Sequence, residues 1–403
     1  MQVTKLYLNA LVGAALILPA ALAEEGPVIQ TMDEVKFRPP KEKAAAELVE
    51  GKAGKAVKFS FEKDARNALF MGNSNATPEW DKADGFSFWV KGDGSANCGG
   101  LQFIWNEDYA ARYDYCFPIS GTDWQKVVVR WSDVIPALPK ESCKFLDAAN
   151  GNAPSKLGAL WIGKWWYWKS YEAHSYAIDE MRLEPSIPAD TADYKPAGAP
   201  LERVLAKLKA GQPVTIVTMG DSLTDYAHWA NKPGNWPTML KKALEEKYKS
   251  AVTIVNPAIG GTELRQNLIL MPRWLQQTPE PDLVTVCFGF NDWNSGMRGA
   301  MFEETHKFGV DRIRRLTKGK ADVLLMTTSP AVEHWDTFAE LAEAARKAAQ
   351  DKNAGLADVN KAMQEAGKED KAKLFVDDKV HLGQPGHEVV AKTVLAAIEA
   401  GGK

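Results

Sequence analysis

At 403 residues, with 45% apolar and 25% charged residues, the sequence is that of an ordinary globular protein long enough for two domains rather than one. A formal net charge of −3 gives no basic footprint for nucleic acid and no polybasic membrane anchor.

Residues 1–23 read as a signal peptide. Lys5 precedes the apolar stretch Leu6 to Leu18, and Ala21-Leu22-Ala23 stands before Glu24-Glu25 as an A-x-A cleavage site. The apolar run is too short for a comfortable membrane span. The expected product is exported, secreted or periplasmic, with no membrane contact after cleavage unless the segment stays uncleaved as an anchor.

Residues 25–184 carry strand patterns. Val57-Lys-Phe-Ser-Phe-Glu62 alternates apolar and polar residues. Gly85-Phe-Ser-Phe-Trp-Val90, Leu101-Gln-Phe-Ile-Trp105 and Lys126-Val-Val-Val-Arg-Trp131 are rich in β-branched and aromatic residues, with Gly, Asp, Asn and Pro clusters between them. Short strands between turn signals predict an all-β sandwich. Three of the four cysteines, Cys98, Cys116 and Cys143, lie here, and in an oxidising compartment two of them could pair. The sequence does not say which two. Cys287, inside an apolar run, reads as a small buried hydrophobe. No Cys/His spacing matches a metal site.

The aromatic stretch Trp161-Ile-Gly-Lys-Trp-Trp-Tyr-Trp168 closes this half. As a strand it would put Trp166 and Trp168 on one face and Trp165 and Tyr167 on the other. An exposed face would be an aromatic patch suited to the C–H faces of sugar rings. The other reading buries both faces, one in the sandwich and one against the next domain.

Residues 185–200 hold four prolines among small and acidic residues and read as a linker. Over 201–403 the rhythm changes. Strand-like runs at 213–219, 252–256, 282–288 and 321–327 alternate with helical runs at 235–249, 302–316, 335–350 and 387–399, which predicts βαβ units on a parallel sheet. In such sheets ligands sit beyond the carboxyl ends of the strands.

At one such end stands Met219-Gly-Asp-Ser-Leu-Thr-Asp225. Serine is a weak nucleophile until a base takes its proton, and histidine held by a carboxylate is the usual base. Of six histidines, His381 has an acid three residues upstream, Asp378. In a tight turn that carboxylate reaches the ring Nδ1–H and leaves Nε2 for the serine. Two further strand ends, Gly260-Gly261-Thr262 and Gly289-Phe-Asn-Asp292, offer N–H donors for an oxyanion.

These four blocks, in this order and from Pro213 to the C-terminus, resemble the SGNH or GDSL-type hydrolases. The resemblance implies a three-layer α/β/α sandwich with a short parallel sheet. It implies Ser222 as nucleophile, His381 as general base and Asp378 as its orienter. It also implies an oxyanion hole built from the Ser222 and Gly261 backbone N–H groups and the Asn291 side chain, with no cofactor and no metal. Read without it, Gly-Asp-Ser-Leu is a turn with Ser222 as a helix N-cap. Asp221 and Asp292 read as turn-stabilising hydrogen bonders, and His387 as a first-turn helix residue. His174, His306 and His334 read as surface or loop residues. His228 is close enough to the serine block to line a pocket, and Trp293 and Asn294 are placed to shape one. Glu263 and Arg265 read equally as substrate contacts or as a surface pair.

More loosely, Phe86-Ser-Phe-Trp-Val90, Trp124 to Asp133 and Tyr176 to Leu183 resemble galactose-binding-like β-jelly-roll modules. That resemblance implies a carbohydrate-binding-module-like domain, some members of which bind calcium; no calcium site can be placed. The expected function is an exported serine esterase removing O-acetyl groups from a polysaccharide or oligosaccharide, with Trp293, His228, Trp166 and Trp168 as substrate contacts. The alternatives are a lipase, thioesterase or general short-chain esterase on the same fold, and a glycan-binding protein with an inactive hydrolase domain.

Overall fold

The computed structural model describes residues 26–41, 43–140, 143–169 and 172–401. The expected signal segment lies outside the described residues.

The N-terminal half is two antiparallel sheets. One runs Ala44–Glu50, Lys55–Phe61, His174–Glu184, Gly85–Gly92, Gln125–Arg130, with Val28–Gln30 also pairing on His174–Glu184. The other runs Ala68–Asn73, Leu157–Lys164, Cys98–Trp105, Asp108–Pro118, Ile135–Pro136. Period-2 alternation decides which side chains go inward. In Lys55–Phe61, Val57, Phe59 and Phe61 are buried while Lys58 and Ser60 are not. Rings from the two sheets then meet edge to face, as Phe59 does Phe70 at 5.0 Å and Phe88 does Phe117 at 5.1 Å.

The aromatic stretch departs from the strand expectation. Its strand ends at Lys164, and Trp166–Trp168 is a single 3-10 turn. Tyr167 and Trp168 are buried while Trp166 is 39% exposed, so the two-face alternation does not exist there. All four cysteines are buried free thiols. Cys98 and Cys116 lie on adjacent strands two residues out of register, since Gly100 faces Cys116 and Cys98 faces Pro118.

The C-terminal half is a five-stranded parallel sheet in the order Val252–Val255, Val214–Gly220, Leu283–Cys287, Asp322–Met326, Gly355–Ala357. Helices cover both faces, so its strands are apolar on both sides. Val217, Met219, Val284 and Val286 pack on Leu264–Ile269, Gly299–Leu316 and Ala339–Asp351. Ile216, Leu283, Leu324 and Met326 pack on Glu202–Lys209, Trp236–Tyr248, Val359–Ala366 and Gln384–Ala400. This is the three-layer α/β/α arrangement. The chain moves to one side of Val214–Gly220 and then to the other, so a topological switch point opens between Val214–Gly220 and Leu283–Cys287. No helix among the described residues is long and apolar enough to cross a membrane.

The sandwich has an apolar core of its own, and the two halves share a further apolar cluster where they meet. Cys98, Cys116, Ile135, Ala137, Tyr167 and Trp168 belong to the same apolar cluster as the helices over the parallel sheet. Arg312, buried, pairs with Asp133 at 2.6 Å. Arg265, also buried, donates to the carbonyls of Leu138 and Cys143, each at 3.2 Å, and to Thr305 Oγ1. It is therefore a cross-domain strut, and with Glu263 buried as well the expected surface pair does not exist. Residues 185–200 form no helix or strand but are bonded to both halves. Ile187 N–H donates to Asp84 and Lys318 pairs with Asp190.

His174 and His306 are buried, against expectation. His174 stacks on Phe61 at 4.9 Å. His306 packs edge-on against Phe302 at 4.3 Å, and burial pushes its pKa down to about 4, so it stays a neutral core residue.

Candidate active site

The strand Val214–Gly220 ends in a tight turn. The Asp221 carbonyl accepts the N–H groups of Thr224 at 3.0 Å and Asp225 at 2.9 Å, and Asp221 Oδ1 accepts that of Leu223 at 3.0 Å. The chain doubles back so closely that a β-carbon on Gly220 would lie 2.4 Å from Thr224 Oγ1. No helix starts here, so Ser222 caps nothing. The turn presents its side chain at the carboxyl edge of the sheet, beside the switch point.

His381 comes from the loop before Gln384–Ala400. Its Nε2 lies 2.9 Å from Ser222 Oγ, and its Nδ1 lies 2.6 Å from Asp378 Oδ2. Asp378 Oδ1 accepts the N–H groups of Val380 and His381, both at 2.9 Å. Desolvation works to raise the Asp378 pKa, but these N–H groups and the imidazole outweigh it and hold the carboxyl below its usual range. The ionised carboxylate keeps the proton on Nδ1 and leaves Nε2 to accept from the serine.

Gly261 follows the second strand end with φ +78°, a conformation that favours glycine. The N–H groups of Ser222 and Gly261 have no acceptor among the described residues. Asn291, in the short helix Phe290–Asn294, also lines the cavity. Its Nδ2 donates to the Thr262 carbonyl at 3.1 Å and to Asp221 Oδ2 at 3.3 Å. Beneath it lie three buried acids. Desolvation and then repulsion from Asp292 push Asp221 to about 7 and Glu263 to about 8; desolvation pushes Asp292 to about 6. Asp221 holds its own turn, as expected, whereas Asp292 Oδ1 accepts the Leu264 N–H at 2.9 Å and so anchors the start of the helix Leu264–Ile269.

A cavity of about 560 Å³ joins these groups, lined by Lys169, Ser222, Asp225, Ala227, His228, Trp229, Gly260, Gly261, Asn291 and His381. Of the predicted residues, Ser222, His381, Gly261, Asn291 and His228 meet there, and Asp378 is joined to them through His381 Nδ1. His228 stacks on His381 with centroids 4.2 Å apart. Burial, and then the neighbouring His381, lowers the His228 pKa, which favours its neutral form. The other expected substrate contacts lie elsewhere. Trp293 packs against His334 and Phe338 under the Arg298 guanidinium. Trp168 is buried between the halves, and Trp166 stands edge-on to Tyr167.

Matching residues 218–389, the GDSL-like Lipase/Acylhydrolase family model spans these same blocks. The match supports a GDSL-type hydrolase domain in the C-terminal half. Among curated proteins, Thioesterase 1/protease 1/lysophospholipase L1 of Escherichia coli strain K12 is 29% identical over 123 residues, which are 30% of this chain and 55% of that protein. The chain thus spans about half the length of the curated relatives it matches. Among solved structures, the acetylxylan esterase Axe2 of Geobacillus stearothermophilus has a TM-score of 0.40 at 24% identity, covering 47% of this chain and 96% of that one. LAE5, an alpha/beta hydrolase from the Lake Arreo metagenome, has a TM-score of 0.39 at 21% identity, covering 46% of this chain and 95% of its own.

Sequence reasoning missed four residues of the GDSL-type domain's surroundings. Lys169 pairs with Asp225 at 2.9 Å from the other half of the chain, and no local signal marks it. Asp225 and Trp229 stand beside residues that were singled out, yet nothing in their spacing separates them from turn and surface residues. Asn231 Nδ2 donates to the carbonyls of Ser222 and Asp225, both at 2.8 Å. Buried His387 accepts the Trp236 N–H at Nδ1, so its Nε2–H donates to Asn231 Oδ1 at 3.1 Å.

Proposed function

We propose that the protein is an exported serine ester hydrolase that removes O-acetyl groups from carbohydrate. Ser222 is the nucleophile, His381 the base and Asp378 its orienter. His381 Nε2 takes the Ser222 proton as Oγ attacks the acyl carbon. The oxyanion is received by the N–H groups of Ser222 and Gly261, and by Asn291 once its amide exchanges one of its present acceptors for the substrate. The protonated imidazole then gives its proton to the departing hydroxyl group. Water, activated by the same nitrogen, releases acetate from the acyl-enzyme.

The observation that carries the esterase reading is the Asp378–His381–Ser222 hydrogen-bond chain, 2.6 Å and 2.9 Å long. The substrate class is supported by the lining of the cavity. Its side chains are polar or charged apart from Ala227 and Trp229, which suits a small acyl group on a polar alcohol rather than a long hydrocarbon chain. Trp229 is 62% exposed, and its ring centroid is 6.0 Å from that of His381. A flat indole at that position offers a sugar ring a stacking surface on the leaving-group side. The β-sandwich resemblance to sugar-binding modules agrees with this reading.

The test is acetate release from acetylated xylan and pectin, set beside hydrolysis of p-nitrophenyl esters of increasing chain length. Preference for acetyl over octanoyl or longer esters is expected. A preference for long acyl chains or acyl thioesters would replace the carbohydrate reading with the lipase or thioesterase one. No turnover by wild-type protein on any ester would leave a binding protein.

A further inference from the structure

We infer that Lys169, carried by the β-sandwich, is a positioning residue for the reaction: its ammonium neutralises Asp225, and Asp225 fixes the Gly260–Gly261 backbone that receives the oxyanion. The inference rests on the proposed Ser222–His381 chemistry.

Lys169 follows the turn Trp166–Trp168 and has a left-handed backbone with φ +45°. Tyr167 and Trp168, buried in the shared core, fix the turn against the GDSL-type domain. From there Lys169 Nζ reaches Asp225 Oδ2 at 2.9 Å, inside the cavity that holds Ser222. The same oxygen accepts the Gly260 N–H at 3.0 Å, and Oδ1 accepts the Ala227 N–H at 2.8 Å. Asp225 therefore ties the loop after Val252–Val255 to the serine turn. The residue it holds directly precedes Gly261.

That anchor carries an electrostatic cost. A β-carbon built on Gly260 would lie 3.6 Å from Asp225 Oδ2 and equally 3.6 Å from Ser222 Cβ, so the carboxylate is within about 7 Å of the nucleophile's carbon. Negative charge grows on the substrate oxygen in the same region during attack. An uncompensated carboxylate there opposes it, because a partly buried site screens charge weakly. Lys169 is the cation bonded to that carboxylate. Desolvation works against ionising Asp225, but the Lys169 bond and the two N–H groups outweigh it and keep Asp225 charged. The β-sandwich thus completes the catalytic electrostatics of its neighbour.

The test uses full-length protein and p-nitrophenyl acetate, whose leaving group needs no sugar contacts. Lys169→Met is expected to lower kcat by roughly ten- to a hundredfold with KM within about twofold. Lys169→Arg is expected to keep most of the activity. The double variant Lys169→Met/Asp225→Asn is expected to be no slower than the slower single variant, because the two act through one contact. Wild-type kcat in Lys169→Met, a rise in KM alone, or additive losses in the double variant would each overturn the inference. Should Lys169→Met fold poorly by circular dichroism, Lys169→Gln takes its place under the same criteria. Ser222→Ala run alongside reports separately on the nucleophile: its full activity would remove the esterase reading itself.

Discussion

His228 stacks on His381, the ring planes inclined by 25° and the centroids 4.2 Å apart. The proposed base thus has a second imidazole against its face as well as the serine and carboxylate at its edges. His228→Ala is expected to lower kcat/KM by about tenfold, because the ring that packs against the face of the base is lost. Wild-type kcat/KM in that variant would show that the stacked ring has no part in the chemistry.

Ser222→Ala is expected to reduce ester turnover by at least about a thousandfold, and Asp378→Asn by roughly a hundredfold or more, each with an unchanged fold. The Asp378 loss arises because an amide cannot keep the imidazole proton on Nδ1. Burst kinetics and far-ultraviolet circular dichroism check both. An Asp378→Asn enzyme as fast as wild type would disqualify the carboxylate.

Trp229 lines the cavity, its ring centroid 6.0 Å from that of His381 and 5.5 Å from that of His228. Trp229→Ala should raise KM for an acetylated oligosaccharide by roughly five- to tenfold, and leave hydrolysis of p-nitrophenyl acetate within about twofold. Equal loss on the two substrates would mean that the indole supports His381 rather than the sugar.

Asp221 links the site to stability. Its pKa rises from 3.8 in the unfolded chain to about 7 in the folded protein, so the folded state holds the proton more tightly. The associated stability is fully present below pH 3.8 and is lost as pH rises through about 7. Asp221→Asn, which has no charge to bury, should gain on wild type across that interval, by on the order of 2–4 kcal/mol at its upper end. Urea denaturation of both proteins at several pH values measures the difference. A gap that does not widen with pH would show that the carboxyl ionises freely.

Asp133 compensates Arg312, whose side chain is only 5% exposed at the junction of the two halves. Asp133→Ala leaves that guanidinium buried without its carboxylate and is expected to cost about 3–5 kcal/mol. Because one apolar cluster and this ion pair join the halves, both should lose stability in one shared transition, visible by calorimetry. Separate transitions, with only one of them shifted, would contradict that coupling.

The sequence by itself determined the elements and the chemistry that local pattern encodes. Alternation in Lys55–Phe61, the aromatic and β-branched run in Gly85–Gly92 and the apolar runs in Val214–Gly220 and Leu283–Cys287 lie within a residue or two of their expected bounds, because burial of one or both faces selects such residues. Asp378 and His381 were legible for the same reason: three residues in a tight turn bring their side chains together. The sandwich strands Ala44–Glu50 and Asp108–Pro118 and the short helix Glu202–Lys209 carried no such clear signal. Nor did Trp166–Trp168, where a turn replaced the expected strand once Tyr167 and Trp168 found a place between the halves. Only the tertiary structure decided that Lys169 enters the serine's cavity, that Arg265 braces the two halves, and that His387 holds the serine turn through Asn231. Each contact joins residues far apart in the chain, and such meetings are set by how whole layers pack, which no local spacing records.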